Sequence, residues 1–244
     1  LCSMSRKILL LNTPEEQERT KDLYREIFQE DTEAFLDFYY KKRPKRILAM
    51  EEDGVVIAML HLNPFQLSFF GKEITASYIY AVATRKDKRK QGIMGELLSY
   101  SFQLLKEEGE AFCFLLPVME KIYTPYGFQT VAKFITDEPE TFRESEEKAG
   151  KDTKLLLSEE ADVLKAEKLS DYKLYAIPTE ELLSRREEEA RFSSEEDELP
   201  EYPVIMMKIL NKELFCRYTG YPEEGEEELL HRLSKEKLYF RDDI

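Results

Sequence analysis

The sequence predicts an α/β fold, with a central sheet, flanking helices and a smaller acidic α+β region at the C-terminal end. Three observations predict it. Short apolar runs are joined by turn signals at residues 51–54 (Glu-Glu-Asp-Gly) and at Gly71-Lys72, as in hairpins. Residues 78–118 read as strand, basic turn with glycine, helix and second apolar strand. From Asp137 onward acidic residues crowd together and the apolar periodicity thins, which places a boundary near residues 140–151.

The elements follow in order. Residues 7–11 form a first short strand. Thr13-Pro14-Glu15-Glu16 is a helix start, with a cap residue, proline in the first turn and acids at the positive end of the dipole. Leu23, Ile27 and Phe28 carry its apolar face to about Gln29. A second helix covers residues 32–40 and ends before Pro44. Residues 47–50 and 55–60 form a hairpin. Residues 65–70 and the run from Ile74 form another pair, which leads into the strand ending at Thr84. Ile93, Met94, Leu97, Leu98, Ser101, Leu104 and Leu105 recur at helical spacing, and Gly109 stops that helix. Residues 111–118 are apolar on both faces, as in a central covered strand. A short helix over 119–126 and a strand over 128–135 complete this part. Beyond it, helices are expected at 159–168, 179–192 and 225–234, and strands at 173–177 and 238–240. Residues 193–203 read as a loop, and 204–210 suit either helix or strand.

Composition excludes some function classes. A net charge of −14 disfavours broad binding to nucleic acid or to an anionic membrane. No apolar run approaches the roughly 20 residues that span a bilayer. Cys2, Cys113 and Cys216 lie far apart, with neither metal-ligand spacing nor a disulfide framework. Cys113, between two phenylalanines, reads as a buried small hydrophobe, and a reducing cytoplasm is the expected compartment.

Against this acidic background, Arg85, Lys86, Lys88, Arg89 and Lys90 concentrate positive charge just before Gly92 and a helix start. Backbone N–H groups from about Gln91 to Gly95, with glycine permitting close approach, suit a pyrophosphate. The alternative is a solvated basic turn. No aromatic residues interleave with the basic ones, so a nucleic-acid patch is disfavoured.

Val82-Ala83-Thr84, followed by Arg89-Lys90-Gln91-Gly92-Ile93-Met94-Gly95, resembles the acetyl-CoA loop of the Gcn5-related N-acetyltransferases (GNAT), Gln/Arg-x-x-Gly-x-Gly/Ala. Arg89 and Gly92 match, Met94 departs from the small sixth residue, and Gly95 follows it. Tyr123-Thr124-Pro125-Tyr126-Gly127-Phe128 resembles the same family's Tyr-x-x-x-Gly-Phe motif. The resemblance covers about half the chain. It implies a mixed, mostly antiparallel sheet in which two parallel strands, ending near Thr84 and Val118, splay apart. It implies acetyl-CoA as co-substrate, held by Val82, Thr84, Arg89, Lys90, Gln91, Gly92, Ile93 and Gly95. Tyr123 matches the tyrosine that protonates the departing thiolate. The phenol suits that role, since an ordinary pKa of about 10 keeps it protonated. Tyr126 is the neighbouring alternative, and a packing tyrosine the plain one.

No general base is evident. His61 reads as a structural histidine, Glu120 as a weaker candidate, and Glu51 and Glu52 as turn residues. The wider pattern looks closest to the enhanced-intracellular-survival aminoglycoside acetyltransferases. That implies residues 1–140 as the acetyltransferase domain and 151–244 as a degenerate or shortened second acetyltransferase-like or sterol-carrier-like part. The expected partner is a small-molecule or peptide amine acceptor, cationic in keeping with the acidic surface. A homo-oligomer is compatible with this. The rival is a non-catalytic acyl-CoA sensor or scaffold.

Overall fold

A computed structural model of the chain describes residues 5–134, 169, 171–192 and 202–240. The expected helix at 159–168, loop at 193–203 and boundary at 140–151 lie wholly or almost wholly outside them. The sheet is mixed and mostly antiparallel, as expected. In spatial order it runs β1 (Arg6–Leu11), β2 (Arg46–Glu52), β3 (Val55–Phe69), β4 (Lys72–Thr84), β5 (Phe112–Leu115), β8 (Val204–Ile209) and β6 (Gln129–Lys133), with β7 (Leu174–Ala176) on the free edge of β3. Among the described strands, only β4 and β5 pair in parallel.

Period-2 alternation decides which face each side chain takes. In β2, Ile47 and Ala49 join one core, and Leu48 and Met50 the opposite one. The first core is closed by α2 (Lys21–Ile27) and α3 (Glu33–Lys42), which contribute Leu23, Tyr24, Phe35, Leu36 and Tyr39. Thr13 caps α1 (Pro14–Gln17) in a capping box, and a tight turn over Glu18–Thr20 joins α1 to α2. The opposite face is closed by α4 (Ile93–Glu107), which buries Ile93, Leu97, Leu98 and Leu105.

Several expectations need correction. The runs at 55–60 and 65–70 are one strand, β3. It tolerates Pro64 because β2 ends at the pair with Leu62, leaving an open edge where a missing N–H costs no ladder bond. β7 then covers that edge at Leu67–Phe69. The central strand is short: β5 stops at Leu115, and Val118 is exposed.

The split into 1–140 and 151–244 does not separate two cores. β8, from the expected C-terminal part, lies between β5 and β6 and pairs antiparallel with both. The helices α7 (Lys212–Thr219) and α8 (Glu226–Leu233) bury Phe215, Leu229, Leu230 and Leu233 in the same core as β5 and α4. β5 needs a hydrogen-bonded neighbour on its far side, and this chain supplies it some 90 residues later. The ambiguous 204–210 run is therefore a strand. α7, capped by Asn211, was not expected at all. α6 (Glu180–Ala190) begins at its Thr179 cap, as the sequence suggested. Leu238 makes only an isolated bridge to Leu174.

Candidate active site

β4 and β5 share one residue pair, Tyr78 with Phe114, and then part. β4 continues to Thr84 while β5 ends. The edge of β4 beyond Tyr78 thus faces a gap rather than a neighbouring strand. At this point β4 carries a bulge: Ala81 and Val82 together lie opposite Leu60, with Ala81 at φ +49°. A positive φ at a non-glycine residue is a strained choice. Ala83 and Thr84 resume the ladder with Met59 and Ala58, while the opposite edge of Val82–Thr84 faces the gap, with no strand beside it among the described residues.

The gap opens into a cavity of about 410 Å³. One wall is β4, through Val82, Ala83 and Thr84. Another is the basic loop and the start of α4, through Lys88, Arg89, Lys90, Gly92, Ile93, Met94 and Gly95. Ile27 of α2, and Ile122 and Tyr126 of the segment that begins with α5 (Glu120–Tyr123), close it. Gly92 caps α4 at φ +79°, a conformation glycine reaches without strain. The first intrahelical bond of this turn is Glu96 N–H to Gly92 C=O at 3.1 Å. The N–H groups of Ile93, Met94 and Gly95 therefore have no helical acceptor and form an anion-binding helix end. Gly95 has a second reason to be small: a Cβ there would lie 3.2 Å from the Tyr126 Oη.

The basic residues are not equivalent. Arg85 pairs with Asp87 inside its own loop at 2.8 Å, and neither it nor Lys86 lines the cavity. Lys88 is ion-paired with Glu52, which also binds Arg6 at 2.5 Å. Lys88 and Arg6 hold the Glu52 carboxyl below its ordinary range. Arg6 in turn donates to the Gln91 side chain at 2.5 Å. Gln91 therefore anchors the loop to β1 and does not line the cavity. Glu52, read from sequence as a turn residue, is a buried anchor of the anion loop. Arg89 donates to the Thr84 carbonyl at 3.2 Å, tying the loop to the end of β4.

Residues 11–131 match the family described as the acetyltransferase (GNAT) domain. The chain carries a GNAT acetyltransferase domain. Among solved structures, a GCN5-related N-acetyltransferase from Kribbella flavida is similar over 87% of this chain and 74% of its own, at 13% identity and TM-score 0.51, a likeness of fold. A conserved Enterococcus faecalis V583 protein aligns over 53% of this chain at 19% identity, TM-score 0.49. Eis1 from Mycobacterium abscessus aligns over 53% at 15% identity, TM-score 0.45. This chain spans only about a third of those two, 33% and 32% respectively. Among curated proteins none matches the sequence.

Of the residues expected to hold the co-substrate, Val82, Thr84, Arg89, Lys90, Gly92, Ile93 and Gly95 meet in the GNAT domain's cavity, and Gln91 stands outside it. Tyr126 lines the cavity. Tyr123 does not: its half-buried ring packs edge-on against Phe128 at 5.9 Å. Burial pushes the Tyr123 phenol up to about 12, so it is protonated at neutral pH. Nothing in the sequence marked Ile27, Ala81 and Ile122 as site residues, because an apolar residue on a helix face and an alanine at positive φ carry no local signal.

His61 is fully buried, stacked on Tyr39 and bonded through Nδ1 to its hydroxyl at 2.9 Å. Burial and then the nearby Lys45 charge hold it well below its ordinary value, which fits a neutral structural role. Glu120 is exposed at the start of α5 and bonds Thr130. Among the described residues no His/Cys/Asp/Glu group could hold a metal ion, and no helix is long and apolar enough to cross a membrane.

Proposed function

We propose that this chain is an N-acetyltransferase that moves an acetyl group from acetyl-CoA to a primary amine by direct attack in a ternary complex. The carrying observation is the single cavity where the open edge of β4, the free N–H groups of α4 and the Lys88-Arg89-Lys90 cations converge. A pyrophosphate fits the helix end. An amide-bearing pantetheine arm fits the open edge of β4 at Val82 and Thr84. The thioester carbonyl then lies beside the bulge, where a backbone N–H polarises it.

The amine nitrogen attacks that carbonyl, a C–N bond forms, and the C–S bond breaks with its electron pair leaving on sulfur. Tyr123 protonates the thiolate by its place in the motif, with Tyr126 as the comparison. The acidic surface favours a cationic acceptor, such as an aminoglycoside, a polyamine or a lysine side chain. Kinship with the enhanced-intracellular-survival branch belongs to this proposal, on the strength of residues 80–84 and 122–128.

The test is thiol release from acetyl-CoA with kanamycin, spermidine and a lysine peptide, for wild type, Tyr123→Phe and Tyr126→Phe. Turnover that drops on the order of 10²-fold in Tyr123→Phe, with acetyl-CoA affinity kept, supports the assignment. A drop confined to Tyr126→Phe moves the acid role there. Acetyl-CoA binding by wild type without release on any amine favours the sensor reading instead.

A further inference from the structure

The reaction requires the attacking amine to lose a proton, and among the described residues no carboxylate stands on the cavity walls. A hydrogen-bonded chain begins at Tyr80, which is not itself in the cavity lining but lies on the strand that forms one wall. Tyr80 lies on β4 just past the last pair with β5, two residues before Val82, and is half-buried. Its hydroxyl lies 3.1 Å from the hydroxyl of Tyr24 on α2. Tyr24 is one helical turn before Ile27, which lines the cavity. The Tyr24 hydroxyl in turn donates to Asp31 Oδ2 at 2.6 Å. Asp31 sits in the loop between α2 and α3 and is partly exposed.

The direction of this chain is determined. An ionised carboxylate only accepts, so the Tyr24 proton points to Asp31. The Tyr24 oxygen is then left to accept, so the Tyr80 proton points to Tyr24. We propose that Tyr80, Tyr24 and Asp31 form the proton exit of the acetyl-transfer reaction, with Tyr80 taking the acceptor amine's proton and Asp31 receiving the charge. This rests on the acetyltransferase reading above and adds the base that reading lacks.

The step balances. Before the C–N bond forms, one proton of the bound ammonium passes to Tyr80 Oη, the Tyr80 proton to Tyr24 Oη, and the Tyr24 proton to Asp31 Oδ2, which frees the nitrogen lone pair for attack. Neither phenol becomes a phenolate. That matters, because burial, and then the neighbouring Tyr80 and Asp31, push the Tyr24 phenol well above its ordinary value. Asp31, partly in solvent, then returns the proton to water.

The other titratable groups around Tyr24 are otherwise engaged. Tyr39 bonds His61 and Asn63, and Tyr40 bonds Thr20. Lys45 lies over the Tyr39 and Tyr40 rings. Arg25 pairs with both Asp22 and Glu33 on the exposed side of α2 and α3.

The experiment measures kcat/KM for kanamycin, spermidine and a lysine peptide from pH 6 to 10 in the full chain. It compares wild type, Asp31→Asn, Asp31→Glu and Tyr80→Phe, with acetyl-CoA affinity by calorimetry and folding by thermal unfolding. Asp31→Asn is isosteric and half-exposed, so it keeps the fold even if a change at Tyr80 does not. We expect Asp31→Asn to lose about 10²-fold at pH 7. The loss should shrink as pH nears the amine's own pKa of about 10. Asp31→Glu should recover most of the rate, and acetyl-CoA affinity should stay unchanged. An Asp31→Asn profile that matches wild type, or one lowered equally at every pH, overturns the relay while leaving the acetyltransferase reading intact. Failure of wild type on every amine sinks both.

Discussion

Glu110 offers the sharpest physical test of this structure. It sits two residues before β5, 7% exposed, and its carboxylate accepts from the Ser77 N–H and the Ser77 Oγ, each at 2.8 Å. Burial pushes its carboxyl up to about 7, against the opposing pull of the two Ser77 bonds and of Arg46, from an ordinary 4.5. A carboxyl raised in the folded state binds its proton more tightly there than in the unfolded chain. Its favourable contribution is therefore full below about pH 4.5 and is lost as pH rises through about 7. The interval between those values corresponds to about 3 kcal/mol. Glu110→Gln preserves the shape: its carbonyl accepts from the Ser77 N–H and its amide donates to Ser77 Oγ, with nothing to ionise. The variant should match wild type near pH 5 and gain on it by about 3 kcal/mol at pH 8. Urea unfolding followed by far-UV circular dichroism measures this directly, and the chain has no tryptophan to serve as a fluorescence probe. A stability difference that stays flat between pH 5 and 8 would show that Glu110 ionises without penalty, and the burial argument would fall.

The remaining predictions use the same assays. Ala81→Val should destabilise the protein by about 1–2 kcal/mol, because a β-branched side chain resists φ +49°, whereas Ala81→Gly should be close to neutral; equal effects would remove the strain argument. Gly92→Ala should cost about 1 kcal/mol of stability and raise the acetyl-CoA KM. An added Cβ meets nothing within 4 Å, so the cost lies in the φ of +79° rather than in a clash, and an unchanged stability would contradict it. Phe215→Ala should cost about 3–5 kcal/mol and leave one cooperative unfolding transition, since Phe215 packs on Phe69 and Phe112; two separated transitions would restore the idea of an independent C-terminal domain.

The anion loop was legible because its chemistry is local. Arg89, Lys90 and Gly92 are neighbours in sequence, and a helix start follows at once. The hairpin at Asp53-Gly54 and the caps Thr13, Thr32 and Thr179 are legible for the same reason: each acts within about four residues. Glu52 was misread because its partners, Arg6 and Lys88, are remote in the chain. The relay of Tyr80, Tyr24 and Asp31 was invisible for that reason too, as it joins a strand, a helix and a loop.

The sequence by itself determined most element types over residues 5–133 and the anion-binding start of α4, both of which follow from spacing along the backbone. Only the tertiary structure decided that β8 completes the sheet between β5 and β6, that β4 bulges at Ala81, and that Tyr126 rather than Tyr123 lines the cavity. Strand pairing and cavity walls are set by which backbone donors and apolar faces remain unmatched once the chain has folded, and that matching spans the whole chain rather than any one segment of it.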